Sequence, residues 1–289
     1  MHSLDYAYTN LIERIVAKSE CANKREDRTG VGSYSLFSEV LEFDLSLGFP
    51  LMTCKFTSFK MMATEWMFFT RGITNNNWLT ERGCNIWKPW ANEDGELGPI
   101  YGAQLRNFNG FDQLQYVVDT LKANPDSRRI MFTYYNPSVI PDEKKTHKEN
   151  IDSGKAVLPP CHVLYVFSTE VRSDGKRYLN GHLTQRSGDV LLGIPFNISQ
   201  LALWVEVLAH HCDLIPGKIS HMIVDAHIYD NQLDDAKAFL LNVDYQNLQQ
   251  APTLKIIADR DKPIDEYELS DFELSKYDHQ GKFKFDIAV

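Results

Sequence analysis

The stretch HVLYVFSTEVRSDGKRYLNGHLTQRS, residues 162–187, contains two segments with the apolar and β-branched content of strands. The turn residues Ser-Asp-Gly at 173–175 join them, so the sequence predicts neighbouring strands at 162–171 and 178–187. NISQLALWVEVLAHHCDL, residues 197–214, is the most apolar helical segment, and the Pro216-Gly217 pair predicts a turn at its end. Strands followed by such a helix are typical of layered folds in which helices pack on a sheet.

Helices and strands alternate irregularly through the rest of the chain. Apolar residues recur at helical spacing in segments 4–19, 57–70 and 111–123. Strands are predicted within 33–45 and at 128–137, a turn at 27–33, and short strands and turns from 251 onward. Because no regular βαβ rhythm is present, we predict an α/β or α+β layered fold with one large mixed β-sheet flanked by helices.

The chain is expected to form one domain. Its 289 residues have 43% apolar content, enough for a large core, and no linker rich in Ser, Gly or Pro interrupts residues 1–289. The segment at about 138–157 is polar and charged, so we predict a solvated insertion there.

The net charge of −9 argues against a protein that wraps a nucleic-acid backbone, because such a protein needs a basic face. A small anionic ligand is compatible with this charge, since a phosphate needs only a few arginines in one pocket. No run of 18 uncharged apolar residues predicts a membrane-spanning helix.

The cysteines and the N-terminus indicate a cytoplasmic protein. Five scattered cysteines without a CxxC pair predict neither a disulfide framework nor a zinc cluster, and we expect no metal. MHSLDYAYTNLIERI carries early acids and has helical periodicity, which is typical of neither a signal peptide nor a transit peptide.

LPPCH, residues 158–162, places a cysteine directly after two prolines that restrict the backbone. A rigid backbone suits a nucleophile, because the scaffold then fixes the reach of its sulfur. The thiolate of Cys161 is the reactive form and needs nearby positive charge. Taken alone, the pattern also fits a buried cysteine at the start of a strand.

QRSGDVLLGIPFNIS, residues 185–199, is a second candidate. Arg186 and Ser187 offer hydrogen-bond donors, and Gly193 allows close backbone approach. Asp189 adds a carboxylate and Asn197 a carboxamide. A carboxamide both donates and accepts, so Asn197 can bind O4 and N3–H of a uracil. A polar loop ahead of an apolar helix is the alternative interpretation.

Other polar residues lie in apolar or extended surroundings. Glu65 is the one acid in the helix TSFKMMATEWMFF, where it must be paired, solvated or used for proton transfer. His227 and Tyr229 alternate within DAHIYDN and suit a sugar hydroxyl, although packing explains such a pair as well. The arginines that can bind a phosphate are Arg28, Arg128, Arg129 and Arg186, although a solvated strand edge is the more common explanation for such residues.

Read together, these segments resemble the thymidylate synthase family. The motifs that carry the resemblance lie between residues 27 and 231, and the terminal Ala288-Val289 matches as well. In order they are DRTGVG, GFPLMTCK, TEWMFFTRGITN, NIWKPWANEDGELGPIYGAQ, PDSRRI, LPPCH, LTQRSGDVLLGIPFNIS and DAHIYDN.

The resemblance implies a reaction and an assembly. Cys161 would add to C6 of dUMP, so that C5 attacks the methylene of 5,10-methylenetetrahydrofolate, and no metal would take part. Glu65 would organise proton transfers at O4, and Tyr101 would lie near the C5 proton. Two subunits would stack their sheets in a homodimer, with Arg128 and Arg129 reaching across the interface.

The resemblance also implies which residues bind the two substrates, without a requirement for membrane or nucleic acid. The dUMP ligands would be Arg28, Arg128, Arg129, Arg186, Ser187, Asn197, His227 and Tyr229. The residues on the reduced-folate side would be Lys55, Trp87, Trp90, Asp189, Gly193, Phe196 and Ala288. Asp189 and Asn197 would also take part in catalysis.

Several departures from the family pattern lie on the folate half. Leu105, Thr184 and Tyr135 stand where relatives usually carry Trp, Tyr and Trp, and Phe56 and Ser58 replace a basic residue and a histidine. The end of the chain, DHQGKFKFDIAV, also differs. Two enzymatic alternatives therefore remain: a thymidylate synthase that makes dTMP and dihydrofolate, or a dUMP hydroxymethylase. A catalytically inactive family member that acts as a binding module is the third.

Overall fold

The computed structural model describes residues 3–26 and 30–287. Its helices are α1 (Ser3–Ser19), α2 (Phe59–Thr70), α3 (Asn77–Thr80), α4 (Tyr101–Arg106), α5 (Gln113–Ala123), α6 (His147–Asp152), α7 (Ile194–His211) and α8 (Leu233–Asn242). Its strands are β1 (Ser33–Asp44), β2 (Met131–Thr133), β3 (His162–Val171), β4 (Arg177–Gln185), β5 (Gly188–Asp189), β6 (Ile215–Tyr229), β7 (Thr253–Ile256) and β8 (Phe272–Ser275).

The main sheet has the strand order β1-β6-β4-β3-β2, with the short β5 added to β6. β1 pairs antiparallel with β6, and β3 pairs antiparallel with β4 and with β2. β4 and β5 pair parallel with β6. The predicted mixed sheet flanked by helices is therefore confirmed, and β7 and β8 form a separate two-stranded sheet.

The helix α7 covers one face of this sheet. Gly181 of β4 makes the close approach possible, because an added Cβ would lie 2.4 Å from Val205 Cγ2 of α7. On the other side of α7, Trp204 packs edge-on against Trp66 of α2, with ring centroids 5.2 Å apart. The most apolar segment of the sequence is thus the central layer, between the sheet and α2.

Two predictions about secondary structure are wrong. Pro216 and Gly217 do not form a turn but lie near the start of β6. The pairing of β4 with β6 shifts register at this point, and the Asn180 side chain of β4 accepts from the Lys218 N–H in place of a main-chain carbonyl. A proline is tolerated at such an irregular position. The strand predicted at 128–137 is limited to β2, because the Asn136 side chain caps a short 3₁₀ turn that begins at Pro137.

The other predicted elements are confirmed with small changes in bounds. The helix predicted at 197–214 begins three residues earlier, since Pro195 fits the first turn where no N–H is needed. Ser58 and Asp112 cap α2 and α5, which begin two residues later than predicted. Residues 27–29 of the turn predicted at 27–33 lie outside the described part; of the rest, Gly30 and Gly32 have positive φ and Ser33 begins β1.

The polar segment 138–157 is ordered around a buried amide. Asn150 of α6 is 2% exposed; its side chain donates to the Asp142 carbonyl and accepts from the Asp142 N–H. Thr146 and Glu149 form a capping box at the start of the helix. The segment rejoins the body where the Val157 N–H donates to the Leu97 carbonyl.

Asp5 fixes the N-terminal helix to the body of the protein. Its carboxylate is fully buried and accepts from the N–H groups of Thr53 and Cys54 and from the Thr53 hydroxyl. None of the helices in residues 3–26 and 30–287 is both long and apolar enough to cross a membrane.

Replacing Asp5 by alanine should lower the free energy of unfolding by about 2–5 kcal/mol. The substitution leaves three buried donors without an acceptor, and each unsatisfied group costs about 1–3 kcal/mol with partial relief from water. Urea denaturation followed by circular dichroism measures the change. Asn10→Ala on the exposed side of the same helix is the control and should cost less than about 1 kcal/mol. Equal losses in the two variants would contradict the assigned role of Asp5.

Candidate active site

Cys161 lies directly before β3, where the ends of several elements meet. Its backbone N–H donates to the Tyr101 hydroxyl at 2.8 Å, and its carbonyl accepts from the Arg186 N–H at 2.9 Å. Tyr101 is the first residue of α4, and Arg186 follows β4. The position of the cysteine is therefore set by two neighbouring segments and by the two prolines before it.

The guanidinium group of Arg186 lies beside the cysteine sulfur, with Nη2 at 3.6 Å from Sγ. It is held there because Nε donates to the Pro160 carbonyl and Nη2 to the Pro159 carbonyl. Burial raises the pKa of the Cys161 thiol, while the Arg186 charge lowers it. The LPPCH motif thus supplies both the sulfur and the acceptors that orient the cation next to it.

The arginines predicted near the cysteine do not all gather there. Arg128 and Arg129 are exposed, and their guanidinium groups form no hydrogen bond or ion pair with the described residues. Arg28 lies outside the described residues. Within this chain the arginine shown to contact Cys161 is Arg186.

Glu65 of α2 is held by two donors in an apolar setting. Trp87 Nε1 donates to Oε1 at 2.7 Å, and Gln200 Nε2 of α7 donates to Oε2 at 2.9 Å. Burial raises the pKa of the carboxyl to about 7, against the opposite effect of these two hydrogen bonds. Such a group can accept and release a proton near neutral pH.

Trp87 and Tyr101 together connect Glu65 to the cysteine. The Tyr101 ring packs edge-on against Trp87, with centroids 5.7 Å apart, and its hydroxyl holds the Cys161 backbone. Burial is the main cause that raises the pKa of Tyr101 far above its usual value, so the phenol stays protonated. Trp90 extends the aromatic wall, 5.9 Å from Trp87.

Asn197 of α7 is oriented by a chain of buried polar groups. Gln185 Nε2 donates to Asn197 Oδ1 at 3.0 Å and to the Ser187 carbonyl at 2.9 Å. His221 Nε2 lies 2.8 Å from Gln185 Oε1, and the His221 side chain is fully buried. Since Gln185 Oε1 is an acceptor, His221 Nε2 must carry the proton, and the amide of Asn197 is fixed as well.

Asp189 and Lys55 both bind the loop that precedes α7. Asp189 Oδ1 accepts from the N–H groups of Leu191 and Leu192, both at 2.9 Å. Lys55 Nζ donates to the Leu191 carbonyl at 2.5 Å, and burial lowers the pKa of Lys55 to about 8. The Gly193 N–H donates to the Asp189 carbonyl, which joins this loop to the start of α7.

His227 and Tyr229 end β6 at the same edge. Their rings lie 4.9 Å apart, and His227 pairs in register with Asp189 of β5. The structure thus brings together most residues predicted from the sequence: Cys161, Glu65, Tyr101, Arg186, Ser187, Asp189, Asn197, His227, Tyr229, Lys55, Trp87, Trp90, Gly193 and Phe196. Ala288, like Arg28, lies outside the described residues.

Four glutamine and histidine residues of the site were missed by the sequence analysis: Gln185, Gln200, His221 and Gln232. All four are less than 3% exposed and bind other polar site residues. Gln200 carried a usable signal, since it interrupts the apolar face of the helix NISQLALW. His221 and Gln232 carried none, because a single polar residue in a strand or turn is usually exposed.

Comparison with known proteins identifies the family. The family model described as "Thymidylate synthase" matches residues 6–289. A thymidylate synthase of Francisella philomiragia is 39% identical over 284 residues, covering 98% of this chain and 99% of the relative. A thymidylate synthase of Pseudomonas fluorescens is 40% identical over 268 residues, covering 91% and 93%. The chain belongs to the thymidylate synthase family.

Proposed function

We propose that this protein is a thymidylate synthase, which transfers the methylene of 5,10-methylenetetrahydrofolate to C5 of dUMP and reduces it, giving dTMP and dihydrofolate. The observation that carries the proposal is the placement of Arg186 beside the sulfur of Cys161, in one contact chain with Glu65. Residues 1–289 would act as a single cytoplasmic catalytic domain. Family membership supports the same reaction.

The proposed chemistry begins with proton loss from Cys161. The thiolate forms a bond to C6 of the pyrimidine, and the C5–C6 electron pair moves toward C5 and O4, which makes C5 nucleophilic. Burial opposes ionisation of the thiol, whereas Arg186 favours it. A pKa of about 7 allows the Glu65 carboxyl to give or take the proton needed at O4. The Tyr101 hydroxyl meanwhile holds the backbone of Cys161.

The dUMP would lie between the cysteine and the end of β6. Asn197 has its oxygen partly used by Gln185, which leaves a second lone pair for N3–H and the amide protons for O4. His227 and Tyr229 would bind the ribose. Arg186, Ser187 and Arg28 would bind the phosphate. Arg186 holds the two prolines through Nε and Nη2, which leaves Nη1 for the phosphate.

The reduced folate would bind on the side of Lys55, Trp87, Trp90, Asp189, Gly193, Phe196 and Ala288. When bound it supplies both the carbon and the hydride. The described residues fit such a ligand, because the two tryptophan rings form a wall for a flat heterocycle and the Asp189 carboxylate can accept from its N–H groups. No group of three or more His, Cys, Asp or Glu suitable for a metal occurs among these described residues.

We further infer that two copies assemble through the sheet face opposite α7. Burial alternates along β4 and β6, which leaves a second row half-exposed, and Phe37 and Val40 of β1 are 82% and 48% exposed. The half-exposed row of this face is mixed in polarity, with Asn180, His182 and Thr184 of β4 beside Met222 and Val224 of β6. The exposed apolar side chains of β1 beside it favour a partner. In such a homodimer Arg128 and Arg129, which have no partner in the described chain, would complete the phosphate site of the other subunit.

The reaction is tested by product analysis. Wild-type protein with dUMP and 5,10-methylenetetrahydrofolate should give dTMP and an equal amount of dihydrofolate, seen by its absorbance. Cys161→Ser should lower kcat by at least about 1000-fold while dUMP still binds in calorimetry. Cys21→Ser, at an exposed cysteine, is the control and should keep full activity. Hydroxymethyl-dUMP with tetrahydrofolate would identify a hydroxymethylase instead, and no product would exclude both enzymes.

The shared site is tested by mixing inactive chains. Arg128→Ala and Cys161→Ala should each be inactive, and their heterodimer should hold one site with both lesions and one with neither. Random pairing should restore about a quarter of wild-type activity. Arg186→Ala mixed with Cys161→Ala is the control; because Arg186 and Cys161 touch within one chain, both sites stay damaged. Heterodimers without activity in the first mixture would contradict the shared site.

Base selection is tested at Asn197. The wild type should prefer dUMP over dCMP by at least about 100-fold in kcat/KM, because the fixed carboxamide leaves two mismatched groups with cytosine. Asn197→Asp keeps an oxygen for Gln185 but loses the donor for O4, so the preference should shrink or invert. Asn242→Asp, at the exposed end of α8, is the control. A wild type that already favours dCMP would show that Asn197 does not read the base.

A further inference from the structure

The side chain of Gln232 binds the end of β6 and two segments that are distant in the sequence. Gln232 ends the short 3₁₀ turn after β6 and is fully buried. Its Oε1 accepts from the Tyr229 N–H at 3.2 Å. Its Nε2 donates to Asp189 Oδ2 at 3.1 Å and to the Asp286 carbonyl at 2.7 Å. The donors and acceptors on this carboxamide are therefore matched to their partners on all sides.

The third partner belongs to the C-terminal segment, residues 281–287, which has no regular secondary structure. Phe283 and Phe285 of this segment pack edge-on against Phe239 of α8, with centroids 4.9 and 6.2 Å away. Lys55 Nζ lies 4.8 Å from the centroid of Phe285. Aromatic packing thus places the segment over the lysine, and Gln232 adds a hydrogen bond to its main chain.

We infer that Gln232 is a positioning residue that couples docking of the C-terminal segment to the orientation of the Asp189 carboxylate. One amide nitrogen donates to both, so displacement of either partner leaves a buried donor unsatisfied and weakens the hold on the other. The consequence for folate binding rests on the function proposed above, whereas the coupling itself does not.

The coupling requires an amide rather than a carboxyl at this position. In Gln232→Glu an ionised carboxylate of the same shape would face the Asp189 carboxylate and the Asp286 carbonyl, and it would repel both. Once protonated, it again offers one donor. The pair should share a proton at moderately acidic pH, since two carboxylates in contact do not ionise together readily.

Among the described residues, the elements that adjoin this site carry further ionisable groups. They include Tyr8, Lys55, His227, Tyr229, Asp230 with its partner Lys24, Asp234, Asp235, Lys282, Lys284 and Asp286. Lys55 is a cation whose charge interacts with Asp189, and it is present in both the wild type and the variant. The loosening caused by Gln232→Glu should therefore grow as pH rises.

Trimming of the C-terminus measures docking without any need for catalysis. The intact protein is treated with a serine carboxypeptidase at pH 8 and pH 5.5, and loss of residues through Asp286 is followed by mass spectrometry. Gln232→Glu should be trimmed at least about tenfold faster than wild type at pH 8 and within about twofold of it at pH 5.5. Equal rates at pH 8, or an acceleration of the same size at both pH values, would overturn the inference.

Gln280→Glu is the matched control, because Gln280 directly precedes the same segment but its side chain binds only the Asp244 main chain. It should be trimmed like wild type at both pH values, and an acceleration equal to that of Gln232→Glu would overturn the inference. If Gln232→Glu does not fold, Gln232→Asn takes its place, since the shortened amide cannot span to both acceptors and should be trimmed faster at both pH values.

Kinetics separates this inference from the proposed function. In Gln232→Glu at pH 8, KM for the reduced folate should rise at least about tenfold while KM for dUMP changes less than about twofold. An equal rise in both constants would contradict a link to Asp189. If the wild type makes no product, the proposed function fails, yet the trimming experiment still decides whether Gln232 couples the two segments.

Discussion

Burial of α7 between the sheet and α2 is the constraint on which the site depends. Gly181 lets the helix approach the sheet, and the Trp66–Trp204 contact fixes it against α2. The helix therefore meets two partners at once: Asn197 faces the end of β4, while Gln200, one turn later, reaches Glu65. A shift of α7 by about 1 Å would break hydrogen bonds on both sides. The packing of the helix therefore determines the geometry of the site.

The same burial sets opposing electrostatic demands on the two central groups. A low dielectric disfavours both the Cys161 thiolate and the ionised Glu65. The surroundings of the two groups differ. The Arg186 cation lies beside the sulfur, whereas the described donors to Glu65 are the neutral side chains of Trp87 and Gln200. The cysteine is thereby helped to ionise and the carboxyl is kept close to its midpoint, which suits a nucleophile and a proton carrier respectively.

The sequence predicted the layers well because they follow from apolar periodicity, as α1, α2, β3 and α7 illustrate. It failed at Pro216 and Gly217, where a side chain of the neighbouring strand supplies the acceptor that makes a strand possible. The site residues of distinctive chemistry, such as Cys161, were found from local motifs. Gln185 and His221 were not found. Their role is to orient Asn197 through hydrogen bonds between β4, β6 and α7, and a local sequence pattern does not show which distant elements pack together.

The departures from the family pattern are less independent than the sequence suggests. Phe56 lies 4.9 Å from the ring of His279 in the altered tail, and Lys282 of the same tail lies over the Phe56 ring at 5.2 Å. The Phe56 N–H also donates to the Gly281 carbonyl. Phe56 and the end of the chain, which the sequence marked as two separate departures from the family pattern, thus contact each other. This packing holds the tail against the segment that follows Lys55.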